Sequence, residues 1–419
     1  MSRIEPVFVP LLARIYRPFL GNTRFIAVTG SCGKTTTKEL IADILAQYQS
    51  THRSFDSNNI YFSIARTILE LRRRHDNCVL EMGASGPGSL SRGVALVRPQ
   101  ISVVTTIGQD HYKAFRGAEV AAVEKRQLVS GLADDGVAIL NKDDPLVMAM
   151  ADECRGRVVT YGLDDNADFH GKVTESRWPD QLTMNVSFQG EEVSVHTQLL
   201  GAHLATPVLA ALATAVTCGV PLKKAATAIT RSVQFFGRMS IERTAAGVTF
   251  IHDHFKAPFW TMNSVVTYLG SARVVGRTFI VIGTLSDYAG NSASKYRELA
   301  RNALEHVDQV VFCSRHASSY MRNLREQYPD RLHLFSSTRE AADIIAGVVR
   351  PGDLVLLKGS HGADHLERVS TNYHSTVRCW RSSCGREGFC DQCELRDVVA
   401  NGDTHQSREP GETQGEDTH

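Results

Sequence analysis

The sequence predicts an α/β protein with two sheet-containing domains, a hairpin inserted in the first domain and a small cysteine knuckle after the second. Three observations support this prediction. Short apolar runs alternate with amphipathic stretches from Arg24 onward, as in a mostly parallel sheet covered by helices on both faces. A period-two pattern interrupts this alternation at 182–195. Four cysteines lie close together near the end of the chain.

The composition limits both the domain number and the partners. A chain of 419 residues, of which 42% are hydrophobic, is long enough for two or three domains. Lys plus Arg number 46 and Asp plus Glu 45, which excludes a general nucleic-acid binder because phosphate contacts need a basic excess. No stretch approaches the roughly 20 apolar residues of a membrane span. Without an export signal, we expect a cytoplasmic protein with reduced cysteines.

The first predicted domain covers 21–234. It follows an apolar segment, 1–20, that arginines and prolines interrupt and that we expect to be a linker or docking helix. Strands are predicted at 25–28, 78–82, 101–105 and 137–141, and helices at 38–47, 119–132, 203–218 and 222–232. Residues 182–188 and 191–195 alternate around Gln189-Gly190, which predicts a hairpin inserted in or beside the sheet.

The second predicted domain covers 235–370 and is expected to be a Rossmann-like α/β unit. Its strands are predicted at 248–251, 278–283, 309–312 and 353–357. A metal-binding cysteine module is predicted at 371–397. The polar tail at 398–419 is expected to be disordered, since it has too few apolar residues to form a core.

The segment after the first predicted strand has the composition of a phosphate-binding loop. It reads Thr29-Gly30-Ser31-Cys32-Gly33-Lys34-Thr35-Thr36, and its glycines allow backbone N–H groups to approach phosphate oxygens closely. Lys34 would reach the β- and γ-phosphates, and the Thr35 hydroxyl would bind Mg²⁺. The Walker spacing fails because Val28 stands where a glycine is needed, so a glycine-rich turn before a helix is the alternative. The flanking strand and helix favour a P-loop domain that binds nucleotide through 30–36.

Further short motifs follow this loop along the chain. They are Asn58-Asn59, Glu81-Met82-Gly83-Ala84, Asp110-His111, Lys125, Asn141-Lys142-Asp143-Asp144-Pro145, Gly201-Ala202-His203, Gly237-Arg238-Met239, Asp253 and Lys358-Gly359-Ser360. In order and spacing the set resembles the Mur ligase family, which includes folylpolyglutamate synthetases, and its D-alanyl-D-alanine-adding branch most closely. The resemblance extends from Arg24 to Val369.

The resemblance implies an ATP-dependent ligase that forms an amide bond. ATP would phosphorylate a substrate carboxylate, and an amine or amino acid would then attack the acyl phosphate. Bringing two anions together in this way demands concentrated positive charge. The substrates implied are a small-molecule, glycan or peptide carboxylate and an amine, with ATP and Mg²⁺ as cofactors.

The resemblance also implies roles for individual residues. Thr35, Glu81 and His111 would bind Mg²⁺, Lys125 would be carbamylated, and Arg238 would contact the γ-phosphate. Asn141 and Asp253 would contact the nucleotide, and Asn58, Asn59, Lys256 and Lys358 would lie near the substrates. The expected catalytic set is Lys34, His111, Lys125 and Arg238. Local patterns alone allow other interpretations: a strand-end carboxylate for Glu81, a loop histidine for His111 and a solvated helix lysine for Lys125.

Some positions depart from the family pattern. Leu204 and Pro207 stand where asparagines usually follow Gly201-Ala202-His203, which puts the adenine preference in question. The run 252–259 retains only one aspartate of the branch pattern, Asp253, so we expect a substrate pair other than the peptidoglycan pair. The segment 1–20 is too short for the family's N-terminal UDP-sugar domain, which we therefore expect to be missing.

The clustered cysteines are Cys379, Cys384, Cys390 and Cys393, with the spacing C-x4-C-x5-C-x2-C. Four thiolates so close together in a reduced chain predict a tetrahedral, structural zinc site. An iron–sulfur cluster and four unligated thiols are the alternatives. The alternative to the ligase function is a non-catalytic, nucleotide-binding subunit that contacts a partner protein through this module.

Overall fold

The computed structural model describes residues 5–109, 112–382 and 388–394. The strands of the first half are β1 (Arg24–Thr29), β2 (Thr51–Arg53), β3 (Asn77–Glu81), β4 (Ile101–Val104), β5 (Val137–Asn141), β6 (Arg157–Gly162), β7 (Phe169–Glu175), β8 (Thr183–Phe188) and β9 (Glu191–His196). Its helices are α1 (Glu5–Tyr16), α2 (Lys34–Ala46), α3 (Tyr61–Glu70), α4 (Ser89–Val97), α5 (Tyr112–Phe115), α6 (Ala118–Ser130), α7 (Pro145–Met148), α8 (Ala205–Thr217) and α9 (Leu222–Ile229).

The second half repeats the pattern with a smaller sheet. Its strands are β10 (Ser240–Arg243), β11 (Thr249–Asp253), β12 (Thr278–Ile282), β13 (Gln309–Cys313), β14 (Leu332–Phe335) and β15 (Leu354–Lys358). Its helices are α10 (Met262–Gly270), α11 (Ser292–His306), α12 (Ala317–Gln327), α13 (Thr338–Val348), α14 (His361–Asp364) and α15 (Glu367–His374). Short 3-10 turns lie at Arg17–Leu20, Ala151–Glu153, Ala202–Leu204, Phe259–Thr261 and Cys390–Gln392.

Within the described residues the strands form two sheets. The larger has the order β2-β3-β1-β4-β5-β6-β7-β8-β9, and the smaller has the order β10-β11-β15-β12-β13-β14. In the larger sheet, all neighbours among β1 to β7 pair in parallel. In the smaller sheet, β11, β15, β12, β13 and β14 pair in parallel in that order, whereas β10 pairs antiparallel with β11. The predicted α/β class with mostly parallel sheets is therefore confirmed.

The predicted hairpin is confirmed as β8 and β9. The two strands pair antiparallel, and β7 pairs antiparallel with β8, so the hairpin extends the parallel sheet at one edge. Gln189 and Gly190 both have positive φ, 49° and 81°, as a two-residue type I′ turn requires. The edge strand β2 and the strands β6 and β7 were not predicted, because their apolar runs are short or broken by polar residues.

Strand β1 illustrates why the sheet is stable at its centre. Ile26 and Val28 pack into one hydrophobic cluster, while Phe25 and Ala27 pack into another on the opposite face. All four side chains are 0% exposed. A strand buried on both faces reads as a continuous apolar run, which is why its position was predictable.

The N-terminal segment forms α1, which docks on the first sheet's helical layer. The Tyr16 hydroxyl donates to the Leu71 carbonyl at 3.0 Å, and Arg17 Nε donates to the Val97 carbonyl at 2.7 Å. Ala13 is fully buried in this contact. None of the helices in the described ranges has the length and apolarity required to cross a membrane.

Helix α2 begins at Lys34, earlier than the predicted start at 38. The difference arises because its first turn consists of Lys34-Thr35-Thr36-Thr37, which carries no apolar periodicity. The earlier start places Lys34 at the first helical position, directly after the loop glycine Gly33.

One buried hydroxyl joins β6 to the end of β4 and offers a test of the fold. Tyr161 is fully buried, and its hydroxyl donates to the Val104 carbonyl at 2.9 Å. We expect Tyr161→Phe to lower the free energy of unfolding by about 1–2 kcal/mol, because a buried carbonyl loses its donor. Urea unfolding of the full chain measures the change.

Tyr48→Phe is the matched control. Tyr48 is 43% exposed, and its hydroxyl donates to the Lys224 carbonyl at 3.1 Å. Since water can replace an exposed partner, we expect a change of less than about 0.5 kcal/mol. Equal losses in the two variants would contradict the assigned role of Tyr161.

Candidate functional site

The loop between β1 and α2 is held against the loop that follows β4. Gly30 has φ 144°, and a Cβ at this position would lie 1.9 Å from Thr105 Oγ1. The Thr105 hydroxyl donates to the Cys32 carbonyl at 2.6 Å, and the Ser31 amide donates to the Thr106 carbonyl at 2.6 Å. Position 30 therefore tolerates only glycine, and the loop's shape is set by its neighbour.

The end of this loop forms the start of α2. Gly33 has φ 82°, in the left-handed region that favours glycine. The Lys34 ammonium folds back over the loop and donates to the Gly30 carbonyl at 2.7 Å. A helix N-terminus, a glycine-rich turn and an overlying ammonium together form an anion site suited to phosphate groups.

Beside the loop, hard oxygen ligands converge at the end of β3. The Thr35 hydroxyl donates to Glu81 Oε2 at 2.7 Å, and Asn59 Nδ2 donates to Glu81 Oε1 at 2.8 Å. Glu81 is only 1% exposed. β3 is the parallel neighbour of β1, so the carboxyl ends of the two strands bring these side chains together.

These oxygens fit a magnesium ion. A hydroxyl and a carboxylate beside a phosphate-binding loop are the ligand types that Mg²⁺ prefers. The predicted ligand His111 lies outside the described residues. Asn58, which was predicted beside Asn59, has an exposed side chain.

Lys125 is buried, contrary to the interpretation as a solvated helix lysine. Its side chain is 1% exposed, and its Nζ lies 5.8 Å from the ring centroid of Phe115. Phe115 packs with Ala84 and Ala121 in a small hydrophobic cluster. The local sequence could not predict this burial because both neighbours of Lys125 are charged.

The preceding residue, Glu124, caps α4. Its carboxylate accepts hydrogen bonds from the Gly88 amide at 2.8 Å and the Leu90 amide at 2.7 Å. A negative charge at the N-terminus of a helix stabilises it, so this contact fixes α6 against α4. Lys125 is thereby held in place by its own helix.

Asn141 supports the loop after β4. Its Nδ2 donates to the Thr105 carbonyl at 2.9 Å, and its side chain is 4% exposed. Asp144 accepts from the Thr106 hydroxyl at 2.8 Å and the Ile107 amide at 2.7 Å. Asn141, which was predicted to contact nucleotide, thus contacts the loop after β4, and that loop in turn contacts Gly30.

Sequence analysis named Asn141 and Asp144 within one family motif but did not predict this supporting role, and it did not single out Thr105. Asp144 also caps α7 by accepting from the Leu146 and Val147 amides, a pattern that the Asp-Pro pair signals. Thr105 carries no such signal, because a threonine at a strand end has many possible roles. Only the hydrogen bonds in the structure show that Thr105 and Asp144 support the phosphate loop.

Arg238 lies on a tight turn that joins the two halves of the chain. Gly237 and Met239 on either side have φ 79° and 61°. The guanidinium carbon lies 4.3 Å from the ring centroid of Phe255, a cation–π distance. Arg238 Nε is buried and makes no hydrogen bond to the described residues. Stacking on Phe255 therefore orients the Arg238 guanidinium, and its Nε–H can still donate a hydrogen bond to an anion.

A second charged group lies at the carboxyl ends of β11 and β15. Lys358 Nζ donates to Asp253 Oδ2 at 2.7 Å and to the Lys256 carbonyl at 2.9 Å. Lys256 Nζ lies 3.4 Å from Asp287 Oδ2 and is 41% exposed. The fold therefore brings three of the predicted site residues close together: Asp253, Lys256 and Lys358. Lys358 is already paired with Asp253.

His203 connects this group to the first half. Burial lowers the pKa of His203 to about 4, although the nearby Asp253 charge opposes the shift and Lys358 adds to it. The ring is therefore neutral near pH 7. A Cβ at Gly201 would lie 2.7 Å from the His203 ring, so the glycine of this motif makes room for the imidazole.

Trp260 of the second half covers the loop that shapes the phosphate site. Its Nε1 donates to the Gln109 carbonyl at 3.1 Å, and its ring lies 2.6 Å from the position of a Cβ on Gly108. The Ser31 hydroxyl donates to the Gly108 carbonyl from the other side at 3.2 Å. No pattern in the sequence predicted this contact, since it joins residues distant along the chain.

Pro207 lies next to the phosphate loop. Its Cγ would be 3.5 Å from a Cβ on Gly33, and Leu204 is 9% exposed. The two positions that depart from the family pattern thus carry buried apolar side chains where side-chain amides were expected.

The described part of the predicted four-cysteine site has a different arrangement. Cys384 lies outside the described residues, and the thiols of Cys379, Cys390 and Cys393 do not form a common ligand group. Cys390 Sγ instead accepts from Arg368 Nε at 3.2 Å and lies 3.5 Å from His365 Nδ1. Burial raises the pKa of the Cys390 thiol to about 12, with the Glu367 charge adding to the shift. Cysteine spacing alone could not reveal these histidine and acidic neighbours.

Comparison with known families and proteins agrees with this geometry. The Mur ligase middle domain matches residues 28–215, and the Mur ligase glutamate ligase domain matches residues 237–361. The UDP-N-acetylmuramoyl-tripeptide--D-alanyl-D-alanine ligase of Bacillus subtilis is 27% identical over 354 residues, covering 84% of this chain and 76% of that protein. The protein of the same name from Mycobacterium tuberculosis H37Rv is 27% identical, with coverages of 82% and 71%.

Solved structures show the same fold. MurF from Acinetobacter baumannii superposes with a TM-score of 0.78 at 22% identity, covering 87% of this chain and 79% of that one. MurF ligase from Thermotoga maritima, solved with ADP, gives a TM-score of 0.75 at 23% identity, with coverages of 87% and 83%.

The close approach of Gly30 to Thr105 generates a test of the phosphate loop. We expect Gly30→Ala to weaken ATP binding at least about tenfold, because the added methyl group must displace the loop from Thr105. Equilibrium binding of a fluorescent ATP analogue measures the affinity.

Gly290→Ala serves as the control for backbone strain. Gly290 also has positive φ, 85°, but no atom lies within 4 Å of a Cβ at that position. We expect its ATP affinity to stay within about twofold of wild type. An unchanged affinity in Gly30→Ala would show that nucleotide is not held by this loop.

Proposed function

Because the chain belongs to the Mur ligase family, we propose that it uses the residues described above to join a carboxylate to an amine with ATP. The activity is that of an ATP-dependent carbon–nitrogen ligase. The observation that carries the assignment is the contact of Thr35 and Glu81 beside the loop that Lys34 covers. A phosphate cradle and a hard-oxygen ligand pair at one strand edge are what transfer of a phosphoryl group requires.

A carboxylate reacts poorly with amines because its charge resists attack. Phosphorylation converts it to an acyl phosphate, so that phosphate leaves when the amine attacks the carbonyl carbon. Mg²⁺, when bound, supplies charge neutralisation between the phosphate oxygens, and Thr35, Glu81 and His111 are the residues that we propose to hold it. The backbone of 30–36 would bind the phosphates and orient them.

Cations from both halves of the chain would lower the repulsion between the two anions. We assign Lys34 to the phosphates and Arg238 to the γ-phosphate; the support for Arg238 is its stacked guanidinium with an Nε that makes no hydrogen bond to the described residues. Asp253 is assigned to the nucleotide. Lys358 would position Asp253 through their 2.7 Å contact.

We propose that Lys125 acts as a carbamate. Its amine would take up carbon dioxide and release a proton, giving an anion able to support a metal ion. The support is its burial beside Phe115, which shields such a group from bulk water. Asn141 would act as a positioning residue through the Thr105 carbonyl.

We propose the chemical classes of the two substrates. The relatives' name gives a UDP-N-acetylmuramoyl-tripeptide and D-alanyl-D-alanine as the substrates of those proteins. For this chain we propose a glycan, peptide or small-molecule carboxylate and an amine or amino acid, bound near Asn58, Asn59 and Lys256. The changed 254–259 run supports a pair different from that of the relatives. A cytoplasmic location follows from the need for ATP.

The comparisons give no support to a non-catalytic partner subunit, since the relatives are named ligases. The described part of the cysteine segment also packs on its own chain: Phe389 contacts Phe236 with ring centroids 4.9 Å apart. The described thiols of this segment do not support a zinc ion held by four cysteines.

The ligase assignment is tested by ADP formation with pooled carboxylates and pooled amines. We expect ADP to form only when both pools are present, and Lys34→Ala and Lys125→Ala each to reduce the rate at least about 100-fold. A coupled spectroscopic assay measures the rate.

Lys223→Ala is the control, because Lys223 is an exposed lysine of α9 whose ammonium lies 3.8 Å from Glu191. Its rate should equal that of wild type. An ADP-formation rate that does not depend on one of the two pools, or that is unchanged in Lys34→Ala, would contradict the assignment.

A further inference from the structure

A buried cluster of imidazoles and a carboxylate lies next to, but apart from, the groups assigned to ligation. His254 follows β11, His361 begins α14, and Glu367 begins α15. They are 0%, 8% and 1% exposed. Because successive side chains of an extended segment point to opposite sides, His254 faces away from Asp253, which contacts Lys358.

The ligand atoms of the three residues converge. One nitrogen from each histidine and one oxygen of Glu367 all lie within 4.8 Å of one another. His254 Nδ1 is 3.7 Å from Glu367 Oε2, and His361 Nδ1 is 3.5 Å from Glu367 Oε1. Of these two separations, the first exceeds the roughly 2.7–3.2 Å of a hydrogen bond. Both approach the roughly 3.3–3.5 Å between two ligands of one tetrahedral zinc ion.

Hydrogen bonding around His252 determines which way His254 presents its lone pair. His252 Nε2 lies 2.7 Å from Glu242 Oε2, and His252 Nδ1 lies 3.0 Å from His254 Nε2. An ionised carboxylate only accepts, so His252 donates to Glu242 from Nε2, and in the tautomer with its single ring proton there its Nδ1 accepts. His254 must then donate from Nε2, which leaves the lone pair on its Nδ1.

That lone pair faces a second acceptor. His254 Nδ1 and Glu367 Oε2 are both buried, and neither makes a hydrogen bond to any described residue. Two buried acceptors that face each other repel unless a cation lies between them. The Cys390 amide donates to the other carboxylate oxygen, Glu367 Oε1, at 2.9 Å and so does not satisfy Oε2. At a metal site, a ligating histidine usually donates its other ring N–H to a carboxylate, a carbonyl or water. Here His252, itself bonded to Glu242, takes that place behind His254.

We propose that His254, His361 and Glu367 bind a divalent ion of the zinc class. Two imidazole nitrogens and a carboxylate oxygen form a ligand set typical of zinc. The neighbouring group of His365, Glu367 and Cys390 is a poorer choice, because the Arg368 guanidinium already donates to the Cys390 thiol and would repel a second cation.

The position of the ion indicates a structural role. The Phe389 ring lies 4.5 Å from that of His361 and 5.9 Å from that of His254, and it also lies 3.3 Å from the position of a Cβ on Gly237. The ion would therefore fasten 388–394 against the turn that precedes Arg238. This site does not depend on the proposed ligation, because its metal content is measured without turnover.

The first test uses wild-type full-length protein, purified without a histidine tag or chelator. Elemental analysis should give about one zinc ion per chain, and zinc-edge X-ray absorption should show a first shell dominated by nitrogen and oxygen. A four-sulfur shell would overturn the proposal in favour of the four cysteines. Less than about a tenth of an equivalent of any transition metal, even after incubation with zinc and desalting, would also overturn it.

The second test assigns the ligands. His254→Gln and Glu367→Gln should lose the bound zinc, whereas His333→Gln and Cys393→Ser should retain it. His333 is a half-buried histidine of β14 in the same sheet, bonded to Gln309, and so matches His254 in chemistry without contacting the cluster. Zinc lost in Cys393→Ser and kept in His254→Gln would contradict the assignment. If either cluster variant fails to fold, the wild-type absorption spectrum decides.

Discussion

The structure depends on one close approach, that of the Gly30 backbone to Thr105. A phosphate-binding loop has few internal hydrogen bonds, so its amides point correctly only if a neighbouring segment fixes them. The loop after β4 does this through Thr105 and Thr106. Asn141 and Asp144 hold that loop from behind, and Trp260 covers it from the second half. The site is thus rigid because several layers converge on one turn.

The same arrangement explains how two sheets serve one reaction. The ligand pair Thr35 and Glu81 stands at the carboxyl edge of the first sheet, and the pair Asp253 and Lys358 stands at that of the second. Arg238 lies on the turn between them, where stacking on Phe255 orients its charge. Amide synthesis needs cations placed around two reacting anions, and the two sheet edges with the turn between them carry such cations.

The sequence predicted those features whose signals are local. The apolar run of β1, the glycines of the loop and the turn at Gln189-Gly190 each follow from short-range chemistry, and the structure agrees. The burial of Lys125, the bracing by Tyr161 and the cover by Trp260 arise from contacts between distant segments, so no window of residues contains them. For the clustered cysteines, proximity in sequence suggested a four-thiol site, whereas Cys390 lies against His365 and Arg368, contacts that cysteine spacing does not reveal.

The central claim is that these groups transfer the γ-phosphoryl group of ATP to a carboxylate, forming an acyl phosphate that the amine attacks. The most direct measurement follows oxygen atoms, using a turnover-competent carboxylate labelled with a heavy oxygen isotope. The account predicts that the inorganic phosphate released during amide formation carries one carboxylate oxygen, because that oxygen bridges carbon and phosphorus in the acyl phosphate. Phosphate that contains oxygen only from ATP and solvent would contradict it.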